Sequence, residues 1–264
     1  FASPKNTILA PHFVLWVKDQ LIETYGSQLV ETGGLRVTTT LDLDLQTMAE
    51  ATISAEITKL KSNKVSNGAG LITNPQTGEI LVMVGSSDYF DQTSGGNVNL
   101  TTSYRQPGSS IKPLNYTLAF AQNNLSPASI VADIPTCFQT PGQPRYCPQN
   151  YDGSFHGAIS IRTALANSYN IPAVKILTLN TIDSFINFAT SLGITGWEDR
   201  SRFGLSLTLG GGEVRMIDMA EAYGSIANLG VRIPLKSVLK VTDYKGKLYE
   251  ETQCTPPNST YLTQ

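Results

Sequence analysis

Arg105-Gln106-Pro107-Gly108-Ser109-Ser110-Ile111-Lys112-Pro113 is the stretch around which the rest of the chain can be read. Proline inside a helix lacks a backbone donor and clashes with the carbonyl four residues back, so it belongs in a first turn. Pro113 therefore predicts a helix N-terminus near Ser109, after a turn made by Pro107-Gly108. Ile111, Leu114, Leu118 and Ala121 share one stripe and carry the helix to Ala121. Ser109 would then lie among free N–H groups at the positive end of the helix dipole, with Lys112 on the same face.

Two readings of that pair stand side by side. Serine is a favoured N-cap, and a first-turn lysine is usually a solvated surface charge. Alternatively, Ser109 is a nucleophile and Lys112 the base that takes its proton. Only a neutral lysine can do this, and roughly one in two thousand is neutral at pH 7. Burial and nearby positive charge would have to lower the pKa by about three units, or roughly 4 kcal/mol. A helix dipole supplies around 1 kcal/mol, so the second reading requires a closed, partly dry site.

Fifty-nine residues after Ser109 comes Ser168-Tyr169-Asn170. Ile159 to Asn167 reads as a short helix, and Pro172 opens another that runs to Leu192. The cluster is their connection, with Asn170 or Ile171 as N-cap. Beyond capping, a loop serine can shuttle a proton and an asparagine amide can both donate and accept. Such a pair could hold Lys112 and the backbone of a peptide substrate.

S-x-x-K followed by S-x-N is a motif pair of serine enzymes that act on penicillin and cell-wall peptides. Residues 105–113 resemble the active-site segment of bifunctional (class A) penicillin-binding proteins. So do Asn150-Tyr151-Asp152-Gly153, Ile161 to Val174, Leu209-Gly210-Gly211-Gly212-Glu213-Val214, Ala220-Glu221-Ala222-Tyr223 and Gly34 to Asp42, in the family's order. The resemblance implies an α/β (α+β) fold of the penicillin-binding transpeptidase and serine β-lactamase type, an antiparallel sheet flanked by helices. It implies a D,D-transpeptidase that cross-links peptidoglycan stem peptides, is acylated by β-lactams and needs no cofactor. Ser109 would attack the D-Ala–D-Ala carbonyl, Lys112 would be the base, and Ser168 and Asn170 would relay protons and anchor substrate. Ser109, Tyr169 and Asn170 would line the substrate site. Water as acyl acceptor, in a D,D-carboxypeptidase or a β-lactamase, is the rival enzyme reading. Tyr169 and the class-A-like linker disfavour the β-lactamase.

The family also carries a Lys-Thr/Ser-Gly strand, and no K-T-G or K-S-G occurs here. Asp243-Tyr244-Lys245-Gly246-Lys247 reads instead as the turn of a hairpin between Val238–Thr242 and Leu248–Glu250. The chain opens on Phe1 rather than Met. Residues 1–33 resemble the linker after the family's glycosyltransferase domain. The expectation is a fragment: linker 1–33, then a transpeptidase domain 34–264 that stops before the third-motif strand. A catalytically incomplete fragment with only a binding role is therefore a third reading.

Charged residues make up 15% of the chain at net charge −2, which gives no argument for nucleic acid. There is no eighteen-residue apolar run and no signal-peptide pattern. Location on the extracytoplasmic face of a bacterial membrane, through an anchor absent here, is implied by the family alone. In that compartment Cys137 and Cys147, ten apart around a Pro/Gly-rich loop, could close a disulfide. Cys254 has no evident partner. His12 and His156 lack ligand spacing, so no metal is expected, and His156 reads as a polar loop residue.

Elsewhere a helix is expected over Pro11–Tyr25, a strand over Leu35–Thr40, and a helix capped by Asp42 with Leu45, Ala49, Ile53 and Ile57 on its stripe. Asn74-Pro75-Gln76-Thr77-Gly78 reads as the turn between strands Gly70–Thr73 and Glu79–Val84. Ser86 to Thr102 reads as a loop. Leu209-Gly210-Gly211-Gly212-Glu213 lacks the lysine and Ser/Thr of a phosphate loop. It is expected to turn tightly near the active-site wall, with Glu213 starting a helix to Asn228.

Overall fold

The computed structural model describes residues 8–139 and 145–252. Its elements begin with α1 (Pro11–Tyr25), α2 (Ser27–Thr32), β1 (Arg36–Thr39), α3 (Leu43–Lys59), β2 (Gly70–Thr73), β3 (Ile80–Val84) and α4 (Lys112–Gln122). There follow β4 (Ile130–Asp133), β5 (Gly157–Ser160), α5 (Ile161–Ala166), α6 (Asn170–Asn180) and α7 (Ile182–Ser191). The chain continues with α8 (Met216–Ala227), β6 (Val238–Thr242) and β7 (Leu248–Glu251). They divide into two compact units, residues 105–214 and the segments on either side of them. Cys254 lies outside the described residues.

In the flanking unit, β1, β6 and β7 form an antiparallel sheet in that order, with Val37 opposite Val241. β2 and β3 form the expected hairpin around Asn74–Gly78, with Gly70 opposite Val84. Thr40 connects the two, because its N–H donates to Ser237 O and its hydroxyl to Ile80 O at 2.6 Å. Asp42 caps α3 by accepting from the N–H groups of Asp44 and Leu45. One turn in, buried Gln46 takes up the backbone groups of Met83 in β3 as a paired residue would. Its amide donates to Met83 O at 3.1 Å and accepts from Met83 N–H at 2.9 Å. Residues 1–33 are expected above to be linker. Within them, α1 buries Phe13, Val17 and Leu21 in one core with Ile80, Met83 and Val241, so Pro11–Tyr25 packs as part of this unit.

The 105–214 unit is built on α4, whose Leu114, Tyr116, Leu118 and Ala119 are buried; Ala121, placed on the stripe by sequence, is exposed. Tyr116 and Ala119 pack with Ile161 of α5 and with Ala173 and Ile176 of α6. Asn115, fully buried, fastens three segments: its Nδ2 donates to Ala173 O and Thr208 Oγ1, both at 2.9 Å, while its Oδ1 accepts from Asn180 Nδ2 at 2.8 Å. β4 and β5 pair antiparallel beside these helices. The long helix expected from Pro172 to Leu192 is two helices. Thr181 at φ 68 ends α6, and its hydroxyl accepts from Ser184 N–H at the start of α7. Cys137 and Cys147 are joined by a disulfide. The helix expected to start at Glu213 starts at Met216, because Val214 pairs with Arg105 in an antiparallel bridge.

Candidate active site

Lys112 is the centre of the site. Pro113 sits in the first turn of α4, and the preceding residues Gly108–Ile111 form a single 3-10 turn that presents Ser109 to solvent. One side of that turn is closely approached by another segment. A Cβ on Gly210, which has φ 92, would fall on the backbone of Gly108, so only glycine lets the Leu209–Gly212 segment approach the serine turn. The tight turning expected of these glycines is present.

The Lys112 side chain is about 1% exposed. Its ammonium donates to Ser168 O at 2.6 Å, Asn170 Oδ1 at 2.7 Å and Ser168 Oγ at 3.1 Å. Desolvation pulls its pKa down from 10.5 to about 8. The two effects oppose each other, since three acceptors favour the charged form. Of the three partners, Ser168 Oγ alone can also donate. A neutral Lys112 can keep its two bonds to carbonyl oxygens and turn its lone pair toward a hydroxyl. Among the described residues the Ser109 hydroxyl makes no hydrogen bond, which leaves it available at the exposed start of the helix that carries Lys112.

Ser168 reaches this position through backbone strain. Tyr169 N–H bonds Ala164 O and Ser168 N–H bonds Leu165 O, which is the Schellman ending of α5. The left-handed residue of that motif is usually glycine; here it is Ser168, at φ 55. The conformation turns both its carbonyl and its hydroxyl to Lys112. Strain of this kind collects where function holds it in place.

The cap expected from Asn170 or Ile171 is supplied from elsewhere. Tyr169 occupies the N-cap of α6 and makes no side-chain cap bond. Instead, Asn150 Oδ1 accepts from the N–H groups of Asn170 at 2.7 Å and Ile171 at 3.3 Å. The Asn170 side chain is thereby free to accept from Lys112 while its Nδ2 donates to Gln149 O at 2.8 Å. The structure thus brings together Lys112, Ser168 and Asn170 as expected. Tyr169 stacks on the His156 ring, centroids 4.0 Å apart and planes within 17°.

Residues 68–261 match the family model of the penicillin-binding protein transpeptidase domain. The chain belongs to the penicillin-binding protein transpeptidase family. Penicillin-binding protein 2D of Bacillus subtilis is 35% identical over 250 residues, covering 91% of this chain and 34% of that protein. Penicillin-binding protein 1A of Rickettsia bellii is 35% identical over 196 residues, 73% of this chain and 24% of that one. The chain therefore spans about a quarter to a third of the length of these relatives. Among solved structures, penicillin-binding protein 1A from Haemophilus influenzae matches with a TM-score of 0.78 at 20% identity, over 95% of this chain and 51% of that one. PonA1 from Mycobacterium tuberculosis in complex with penicillin V matches with a TM-score of 0.75 at 22% identity, over 92% and 65%. Likeness at these identities shows a shared fold, the mixed helix and antiparallel-sheet architecture expected.

In this penicillin-binding-protein chain, sequence reading missed the shell behind Asn170. Buried Asp133, at the end of β4, accepts from Asn150 Nδ2 at 2.8 and 2.9 Å and from His156 N–H at 3.0 Å. His156 Nδ1 also lies 2.7 Å from Asp133 Oδ2, and its Nε2 lies 3.2 Å from Asp152 Oδ2. Read from sequence as a polar loop residue, His156 is half-buried, with each ring nitrogen close to a carboxylate. Asn150 and Asp152 stood in a segment already singled out. Asp133 carries no local signal, being one aspartate at a strand end.

Proposed function

We propose that this chain carries the acyl-transfer site of a peptidoglycan D,D-transpeptidase, and that Ser109, Lys112, Ser168 and Asn170 perform the chemistry. The observation that carries this reading is Lys112: a buried lysine, its pKa lowered to about 8, one helical turn from an exposed serine and bonded to both polar residues of the second motif. Neutral Lys112 accepts the Ser109 proton as Oγ attacks the carbonyl of the terminal D-Ala–D-Ala bond. The C–N bond breaks, the proton returns through Ser168 Oγ to the leaving amino group, and D-alanine departs. An amine of a second stem peptide then attacks the acyl-serine, and its proton passes back along the same relay. Asn170 and Tyr169 would align the peptide, and a β-lactam would enter as a mimic of the dipeptide.

The match over residues 68–261 supports placing a transpeptidase domain within 34–264; the likeness of residues 1–33 to an inter-domain linker would put a glycosyltransferase domain before it. Stem peptides and β-lactams are the partners on this reading, and the extracytoplasmic face of a bacterial membrane is the location. Among the described residues no helix is long and apolar enough to cross a membrane.

A fluorescent penicillin, followed by denaturing electrophoresis and peptide mapping, tests the proposal. The expected result is one label on Ser109 that is lost in Ser109→Ala. A folded protein that takes no label, or takes it elsewhere, overturns the assignment.

A further inference from the structure

We infer that Asn150 is a positioning residue for acylation: oriented by buried Asp133, its single amide sets the N-terminus of α6 and hence the Asn170 oxygen that holds Lys112. This rests on the acyl-transfer reading above.

The orientation of the Asn150 amide is decided by chemistry. One end of it faces only acceptors, namely both Asp133 carboxylate oxygens and Ser154 O at 2.9 Å. The other end faces only donors, the N–H groups of Asn170 and Ile171. The nitrogen must therefore face Asp133 and the oxygen must face α6, with no second arrangement available. Asn150 is about 5% exposed and Asp133 is fully buried, so neither end can turn to water instead. The Asp133 carboxylate is fixed in turn by the N–H and the ring Nδ1 of His156.

A rigid line results, running Asp133, Asn150, Asn170, Lys112. Every link is a hydrogen bond of 2.9 Å or less. Asn150 is the link that joins the β4 end to the site, and it touches no reacting atom. Its loss would not remove a catalytic group. It would let the first turn of α6 drift and loosen the Asn170 bond to Lys112. A displacement near 1 Å at a reacting centre can cost about a hundredfold in rate.

The test measures acylation by the fluorescent penicillin in the full chain, separating the saturating rate from the half-saturating concentration. Asn150→Asp keeps an acceptor for α6 but sets two carboxylates against each other. The double variant Asp133→Asn with Asn150→Asp restores one acid–amide pair across the same contact. The saturating rate is expected to fall about 10- to 100-fold in Asn150→Asp, with a nearly unchanged half-saturating concentration. Part of the rate should return in the swap, because the acid–amide pair is restored while Ser154 O still faces a carboxylate oxygen of residue 150. Variants are compared well below their melting temperatures, and the swap decides the matter if the single variant does not fold. An unchanged saturating rate, or a loss the swap fails to recover, overturns the inference alone. A wild-type chain that takes no label at Ser109 overturns both the inference and the reading beneath it.

Discussion

Raising the pH from 7 to 9 should increase the rate of Ser109 acylation by about tenfold and then stop increasing it. The reasoning begins with the Lys112 amine, walled off from solvent and lowered to about 8. At pH 7 about a tenth of such an amine is neutral, and at pH 9 about nine-tenths. A lysine left at its ordinary value would be neutral in only roughly one molecule in two to three thousand at pH 7. It would gain about a hundredfold between pH 7 and 9 and would still be climbing. The slope between those two pH values therefore measures burial of the base, and the plateau locates its pKa. The same shift has a sign for stability. The unfolded chain holds the Lys112 proton up to about 10.5 and the folded chain only up to about 8. Stability should thus rise with pH across that window, by at most about 3 kcal/mol, and the penalty is fully present below it. The three acceptors around the ammonium act against desolvation, which makes that figure an upper bound. The assay is stopped-flow acylation by a fluorescent penicillin from pH 6 to 10, with Lys112→Ala as the variant lacking a base. A flat profile, or a hundredfold rise without levelling, would refute the account of Lys112 as a base tuned by burial.

Three other substitutions follow from the geometry. Ser168→Gly should relieve the left-handed strain and raise stability by about 1 kcal/mol while slowing acylation, because Lys112 loses its hydroxyl partner; chemical denaturation and the penicillin assay on one sample would show both, and reduced stability would contradict the strain argument. Gly210→Ala drives a methyl into the Gly108 backbone at a positive φ. It should abolish most labelling and destabilise by at least about 1 kcal/mol, so a wild-type melting curve would count against the close approach. Gln46→Ala leaves the N–H and C=O of Met83 unpaired in a buried setting. It should cost about 2–5 kcal/mol, read as a drop in the denaturant midpoint, and it should leave the saturating acylation rate of the still-folded fraction unchanged.

Much of the fold is legible in residues because its causes are local. Asp42 caps α3, Pro11 opens α1, and Asn74–Gly78 turns the β2–β3 hairpin, each within a few residues of the structure it dictates. Pro113 and the three-residue spacing likewise put Ser109 and Lys112 on one helix start. The errors fall where a distant partner decides. Asn170 reads as a cap by propensity, yet the cap comes from Asn150, twenty residues upstream. The helix from Pro172 breaks at Thr181 because a residue at positive φ there caps a new helix, which no apolar period reveals. Glu213 does not open α8, since the backbone at Val214 is already committed to Arg105.

The sequence by itself determined which side chains could do chemistry: a serine and a lysine one turn apart, a second cluster with a hydroxyl and an amide, and the order of segments that marks the family. Only the tertiary structure decided that the lysine is buried, that a serine occupies a position glycine usually takes, and that Asp133, Asn150 and His156 stand behind Asn170. The physical reason is that spacing along a chain fixes which residues share a face. Desolvation, by contrast, is a property of everything packed around a group. The pKa that makes Lys112 a usable base is set by its burial, and the neighbours that create that burial come from segments far apart in sequence.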